Sequence, residues 1–229
     1  MEYDENYYRL NAQSGDRPAL QMYERFWRRY LGQGAVLEFG CGVGYFARRL
    51  SRHAEVYGLE SNAFAIEQIK TVAPKVKILT KLADLANQSI GSIIALHVLE
   101  HIPDRDLDLV GEEFKRILRP KGRILVVMPD LGGQAHVLKG KSWSAFSDPT
   151  HINLKSASDW QTYFEIEWGL KVVKTFADGF YDFPYGKRRL FSAPRDALRA
   201  FRTLIQWLVA RPLLRQGDGE NVIFILEMA

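Results

Sequence analysis

The sequence predicts an α/β protein built on a doubly wound parallel sheet, and three observations predict it. Short runs rich in valine, isoleucine and leucine alternate with segments of helical apolar period along most of the 229 residues. The first run closes on a glycine-rich turn, Val36-Leu37-Glu38-Phe39-Gly40-Cys41-Gly42-Val43-Gly44. The second run closes on an acid, Glu60, 16 residues beyond Gly44. Repeated β-then-α alternation places helices on both faces of one sheet.

The elements follow in order. Residues 1–16 are tyrosine-rich and polar and read as an arm or lid. Pro18–Tyr30 carries Leu20, Tyr23, Phe26, Trp27 and Tyr30 on a helical period. Strands are predicted at 35–39, 55–60, 76–80, 92–97, 123–128, 170–176 and 222–227. The fourth is apolar almost throughout, as a central parallel strand requires. Helices are predicted at 45–52, 63–71, 105–118 (stopped by Pro120), from 156 onward, and at 195–209. Ser156 and Asp159 have the spacing of a capping box. Residues 129–153 read as a long loop.

An apolar share of 47% beside 25% charged residues is enough to bury a core, and the length suits a single domain over 1–229. Within it, 1–30 form the arm and first helix, and 177–217 a basic helical insertion between strands six and seven. The lone Cys41 excludes an internal disulfide and suits a reducing compartment. The acidic, polar residues 1–6 do not read as a secretory signal. No apolar run approaches the ~20 residues that span a bilayer, so the expected location is cytoplasmic. The net charge of +4 is local: Lys187, Arg188, Arg189, Arg195, Arg199, Arg202, Arg211 and Arg215 against Asp196 make residues 187–215 +7, and the remainder −3. Such a patch disfavours a nucleic-acid-binding body and favours an anionic partner at one place.

The glycine turn sits where only glycine lets backbone approach a ligand closely. Its spacing is Gly-x-Gly-x-Gly. The third glycine of the dinucleotide fingerprint would fall at position 45, which is Tyr45, and this disfavours a pyrophosphate cofactor. An acid at Glu60 is placed to accept hydrogen bonds from both hydroxyls of a ribose.

These residues carry a family resemblance. The stretch from Glu38 to Gly44 resembles the first motif of class I S-adenosylmethionine-dependent methyltransferases, and Glu60 matches their ribose-binding acid. His97-Val98-Leu99-Glu100-His101-Ile102 is similar to the segment after the fourth strand in the small-molecule branch. Leu118-Arg119-Pro120-Lys121-Gly122-Arg123 is similar to its L-x-P-G-G turn. The resemblance implies a Rossmann-like seven-stranded sheet in the order 3-2-1-4-5-7-6 with strand 7 antiparallel. It implies S-adenosylmethionine held by Glu38, Phe39, Gly40, Cys41, Gly42, Gly44, Glu60, Ser61 and His97. The Gly-Asp-Ala that often follows the third strand is replaced by Thr80-Lys81-Leu82-Ala83-Asp84. Adenine is then expected on backbone near Leu82 and Ala83, or on Asp84.

At the acceptor end, His101 and His151 are the candidate bases for an acceptor that arrives protonated. The competing reading is that Glu100 and His101 cap the loop and His151 pins it. His97, Glu100, His101 and His151 are also ligand types for a divalent ion. The pattern resembles the Glu-x-x-Glu-His cluster of ubiquinone-pathway O-methyltransferases, but His97 stands where the first acid belongs, so a metal is the less favoured reading. Trp143, Phe146, Phe180, Tyr181, Phe183 and Tyr185 wall an acceptor pocket or simply pack. Residues 195–215 place Leu198, Phe201, Leu204, Ile205 and Leu208 on one stripe flanked by arginines. It reads either as a helix packed on the sheet with a solvated basic face, or as a dock for an anionic acceptor or a phospholipid surface.

The functional expectation is methyl transfer to a small-molecule acceptor at oxygen. An RNA methyltransferase and a non-catalytic Rossmann-like partner are the alternatives. Against the first stands the lack of an Asn-Pro-Pro-Tyr-type tetrapeptide and of an RNA-binding module. Against the second stands the intact glycine turn with Glu60.

Overall fold

The computed structural model describes residues 15–179 and 194–229. Its sheet has seven strands: β1 (Val36–Phe39), β2 (Val56–Leu59), β3 (Lys77–Leu79), β4 (Ile90–Leu96), β5 (Leu118–Pro129), β6 (Leu170–Ala177) and β7 (Asn221–Met228). Their order is β3-β2-β1-β4-β5-β7-β6. The first five run parallel, and β7 is antiparallel to both β5 and β6. This is the topology the resemblance implies.

Alternate strand residues feed two cores. Val36, Ile94, Leu125, Val127 and Ile225 face helices α1 (Pro18–Tyr30), α2 (Tyr45–Leu50) and α3 (Ala63–Val72). Leu37, Ile93, Ala95, Ile124 and Val126 face α4 (Asp104–Ile117) and α7 (Ala157–Ile166). Helices and sheet thus form three layers, with strands apolar on both faces. The one polar group in the middle of β4, Ser92, is fully buried and accepts the indole N–H of Trp27 at 2.9 Å. The Ser156–Asp159 capping box forms as expected.

Several element boundaries shift by one or two residues from the sequence reading, and three differences affect the packing. Helix α4 ends one residue early, and β5 starts at Leu118 because Ile90 pairs with it before the register shifts to Ser92 and Arg123. Residues 129–153 contain α5 (Gln134–Lys139) and α6 (Ser144–Ser147), too short to show a period. Helix α8 (Pro194–Val209) is present, but its apolar stripe is not its packed face. Leu198, Phe201, Leu204 and Leu208 are exposed, and Gln206 is buried instead. Gln206 donates to the Ala177 carbonyl at 2.8 Å and accepts from the Leu213 and Leu214 N–H groups. Polar anchors hold this helix down. Phe180, Tyr181, Phe183 and Tyr185, and Lys187, Arg188 and Arg189, lie outside the described residues, as do residues 1–14 of the arm. No helix among the described residues is long and apolar enough to cross a membrane.

Candidate active site

A cleft open to solvent lies at the carboxyl ends of β1 and β4. Its floor is the first βα turn, with Glu38, Gly40, Cys41, Gly42 and Gly44. Leu96 and His97 form one wall. Arg17, Leu20 and Tyr23, from the start of α1, form the other, and the sequence reading missed them because they carry no motif.

The turn is shaped by backbone conformation. Gly40, Gly42 and Gly44 all have positive φ, at 70°, 53° and 87°. A Cβ on Gly40 would lie 2.6 Å from a methyl of Val98, so no side chain fits there. The N–H groups of Gly40 and Cys41 both reach the Leu59 carbonyl at 3.0 Å, binding the turn to the end of β2. Glu60, half-buried, completes that link: one carboxylate oxygen accepts the Gly42 N–H, the other the N–H groups of Ser61 and Asn62, all at 2.9 Å. A carboxylate has about four lone-pair positions, so acceptor capacity remains.

Glu38 lies under the turn, 4% exposed, and its Oε2 has no hydrogen-bond partner. Burial, and next the charge of Glu60, push its carboxyl well above the usual range. Burial, and after it the charges of the same two acids, raise the Cys41 thiol. A buried acid with an unpartnered oxygen beside a glycine cradle fits a ligand that brings a positive charge.

Not every predicted contact residue reaches this cleft. Phe39 points into the core, edge-on to Phe114 with centroids 5.1 Å apart. Glu60 and Ser61 stand at the adjacent β2 end. Leu82 and Ala83 form a 3-10 turn after β3, and Arg116 holds the Leu82 carbonyl at 3.0 Å.

His97 joins the cleft to a second cluster. It has a left-handed backbone, φ 55°, held by its N–H to the Val127 carbonyl at 2.8 Å. Such strain persists only where its surroundings enforce it. Its Nδ1 is 3.4 Å from Glu100 Oε1, and Glu100 is 0% exposed with both carboxylate oxygens lacking a hydrogen bond. Glu100, His101 and His151 each offer a ligand atom within 4.8 Å of the others.

The two imidazoles are held in known tautomers. His151 Nδ1 donates to the Ala145 carbonyl at 2.8 Å. His101 Nδ1 donates to the Thr150 carbonyl at 3.1 Å, and to the Thr150 hydroxyl at 2.9 Å. That hydroxyl is itself donated to Asp148 at 2.5 Å, so it accepts from the histidine. Carbonyls only accept, so both rings carry hydrogen on Nδ1, and Nε2 is the nitrogen outside these bonds. Burial lowers the His101 pKa, against the opposing pull of Glu100. Thr150 and Asp148 are neighbours of His101 that no motif announced. The loop holding them is fixed by Asn153, whose N–H reaches the Glu100 carbonyl at 2.9 Å and whose amide reaches Ile102 and Asp104.

The aromatic walls resolve into packing on one side only. Trp143 is buried against Ala135 and Ala145, whereas Phe146 is 47% exposed. Tyr23, which lines the cleft, donates to Asp178 at 3.2 Å. Full burial raises the Asp178 carboxyl to about 8, against the hydrogen bonds it accepts from Asn221.

Residues 10–175 match a methyltransferase domain family, and the chain belongs to it. It is a class I S-adenosylmethionine-dependent methyltransferase, with S-adenosylmethionine as its methyl donor. A SAM-dependent methyltransferase from Archaeoglobus fulgidus is similar over 97% of this chain and 99% of its own, at 18% identity and a TM-score of 0.66. A TehB-like SAM-dependent methyltransferase from Corynebacterium glutamicum matches over 99% of this chain and 96% of its own, at 15% identity and TM-score 0.59. Geranyl diphosphate C-methyltransferase from Streptomyces coelicolor, solved with Mg2+, geranyl diphosphate and S-adenosylhomocysteine, matches over 90% of this chain and 78% of its own, at 14% identity and TM-score 0.57. At these identities the likeness carries the fold. The narrower resemblance to ubiquinone-pathway enzymes is not confirmed by these matches. A search of curated proteins found no sequence match.

Proposed function

We propose that this methyltransferase methylates a hydroxyl oxygen of a small molecule, with His101 as the base. The observation that carries the reading is the tautomer of His101. Its Nε2 lone pair is free to take a proton, while Nδ1 is fixed to Thr150 and, through it, to Asp148. The donor supplies an activated methyl carbon on sulfur. The S–CH3 bond breaks as the O–CH3 bond forms, S-adenosylhomocysteine leaves, and the acceptor proton passes to His101 Nε2. His101 then bears a charge that Thr150 and Asp148 stabilise. His151, with rings 4.6 Å apart, is the second proton acceptor.

The donor's seat is the glycine turn. Gly40, Cys41, Gly42 and Gly44 give backbone, and Glu60 with Ser61 takes the ribose. Glu38 meets the positive charge, His97 closes the wall, and Leu82 and Ala83 support the adenine. Phe39 acts from the core behind them. The whole chain acts as one domain, with 177–217 as its insertion. The acceptor is anionic or lipid-linked, the 195–215 segment makes peripheral membrane contact, and the enzyme works in the cytoplasm. Nucleic acid is disfavoured by the local nature of the charge.

A second reading rests on Glu100. A fully buried carboxylate without hydrogen bonds, beside His101 and His151 with a ligand atom of each within 4.8 Å, suits a divalent ion that would polarise the acceptor oxygen.

The test is methyl transfer to acceptors of graded acidity, with and without chelator. Base catalysis predicts that His101→Ala slows alcohols and weakly acidic phenols most, and acceptors already ionised at assay pH least. Equal slowing across the series would remove the base. Loss of activity on chelation, restored by one divalent ion, would install the second reading.

A further inference from the structure

Helix α8 turns its apolar side outward. Leu198, Phe201, Leu204 and Leu208 recur at spacings of three and four, so they share one face. They are 50–60% exposed, and Val209 and Leu213 prolong the strip at 44% and 40%. The opposite face is fastened by Gln206, by the Trp207 indole donating to the Pro18 carbonyl at 3.3 Å, and by Arg25, which donates to the Trp207 and Leu208 carbonyls. Residues 198–215 contain Arg199, Arg202, Arg211 and Arg215 and no acid. Arg202, Arg211 and Arg215 are exposed.

We infer that this strip docks on an anionic phospholipid bilayer. Its leucines and Phe201 enter the boundary between headgroups and acyl chains, and Arg202, Arg211 and Arg215 meet the lipid phosphates. The inference deepens the membrane contact given to residues 195–215 in the proposed function, and rests on that reading for what docking serves, the delivery of a lipid-linked acceptor. Outward leucine and phenylalanine beside arginine is the composition of an interfacial helix, and a contiguous apolar strip on a monomer's surface calls for a partner. Charge selects which one. A second copy of this chain would set arginines against arginines. The chain's own residues 180–193 hold Lys187, Arg188 and Arg189 against Asp182, and would again lay positive charge on positive. An anionic surface removes both conflicts. Position agrees with this choice. Helix α8 is tied to Ala177, at the end of β6, and to Gln134, just beyond β5, where Arg199 donates at 2.7 Å. Those strand ends lie on the sheet edge where the cleft opens, so a docked enzyme would turn its cleft toward the bilayer.

The experiment is sedimentation of the full chain with vesicles, without donor or acceptor, so that its outcome is independent of the methylation chemistry. Vesicles of phosphatidylcholine mixed with phosphatidylglycerol should pull the protein down, and pure phosphatidylcholine should do so at least tenfold less. Raising the salt should weaken the attraction, because exposed charges are screened within ~8 Å at physiological ionic strength. The double variant Phe201→Ser/Leu204→Ser should bind mixed vesicles at least tenfold more weakly, with its melting temperature and S-adenosylhomocysteine affinity unchanged. Three results would overturn the inference. One is no sedimentation with mixed vesicles at low salt. Another is a double variant that binds as the parent does. The third is a parent that dimerises in ultracentrifugation and is dispersed by the two substitutions, which would assign the strip to a second copy.

Discussion

At the cofactor edge of the cleft, the residues from Glu38 to Gly44 are consecutive, and the contact that completes them, Glu60 to Gly42, spans 18 positions. At the edge formed by the histidine cluster, His101 meets Thr150 across 49 positions. The first edge is a backbone shape. It needs residue types that tolerate positive φ, and it leaves that requirement written locally. The second is an assembly of side chains from the ends of several strands, and each of its residues is ordinary where it stands.

The largest separation between the two edges should come from His101→Ala. Loss of a positioned base costs ~10²–10⁴-fold in rate. We expect that loss in kcat, with the S-adenosylhomocysteine dissociation constant unchanged, read by calorimetry. A variant that loses cofactor affinity as well would mean that the edges are one unit.

The mirror experiment is Glu60→Ala. A charged hydrogen-bonded contact is worth about 1.5–3 kcal/mol, so cofactor affinity should fall ~10- to 150-fold at 1.4 kcal/mol per decade. The carboxylate also receives three backbone N–H groups. Part of the loss should therefore appear as a lower melting temperature. An unchanged dissociation constant would make Glu60 a brace for the turn and nothing more.

The difference in construction explains what the sequence disclosed. The strand order, the glycine turn, the Glu60 position and the Ser156 cap are carried by period, spacing and capping chemistry, all local. The convergence of Glu100, His101 and His151 was legible as a candidate set only because the strand ends share one edge. What was not legible depended on distant packing. Phe39 sits inside the motif, yet faces Phe114 rather than the cleft. Thr150 and Asp148 join the cluster only because the fold brings their loop to His101. The stripe on α8 has the same pattern whether it faces core or solvent, and Gln206 decides the outcome.

A smaller effect tests whether Thr150 is part of the machinery. Burial lowers the His101 pKa from the ordinary imidazole value, so the ring is lost as a base only as pH falls through that lowered value. The rate should therefore rise with pH along an acid limb displaced to lower pH than an ordinary imidazole would give. Thr150→Val removes an acceptor that favours the charged ring. The limb should move to still lower pH and the rate at neutral pH should drop ~3- to 10-fold, about 0.6–1.4 kcal/mol, with Thr150→Ser restoring both. A limb that does not move would reduce Thr150 to a loop brace.

The smallest effect separates backbone strain from ligand contact. Gly40 is left-handed for two reasons at once: the turn requires its φ of 70°, and Val98 leaves no room for a Cβ. Lys121 has nearly the same φ, 65°, and is exposed, with no part in the cleft. It stands where the family's L-x-P-G-G turn carries a glycine. A left-handed conformation costs a residue with Cβ roughly 1–2 kcal/mol, while glycine gives back ~0.5–1 kcal/mol through the greater freedom of the unfolded chain. Lys121→Gly should therefore stabilise the protein by about 0.5–1 kcal/mol, raising the melting temperature by ~1–4 °C for a domain of this size. Cofactor affinity and rate should not change. A gain in stability without a change in binding would show that positive φ alone has this modest cost, and that the larger penalty expected at the cofactor turn comes from what must approach its backbone. A fall in melting temperature would mean that the lysine side chain helps hold the start of β5 in place.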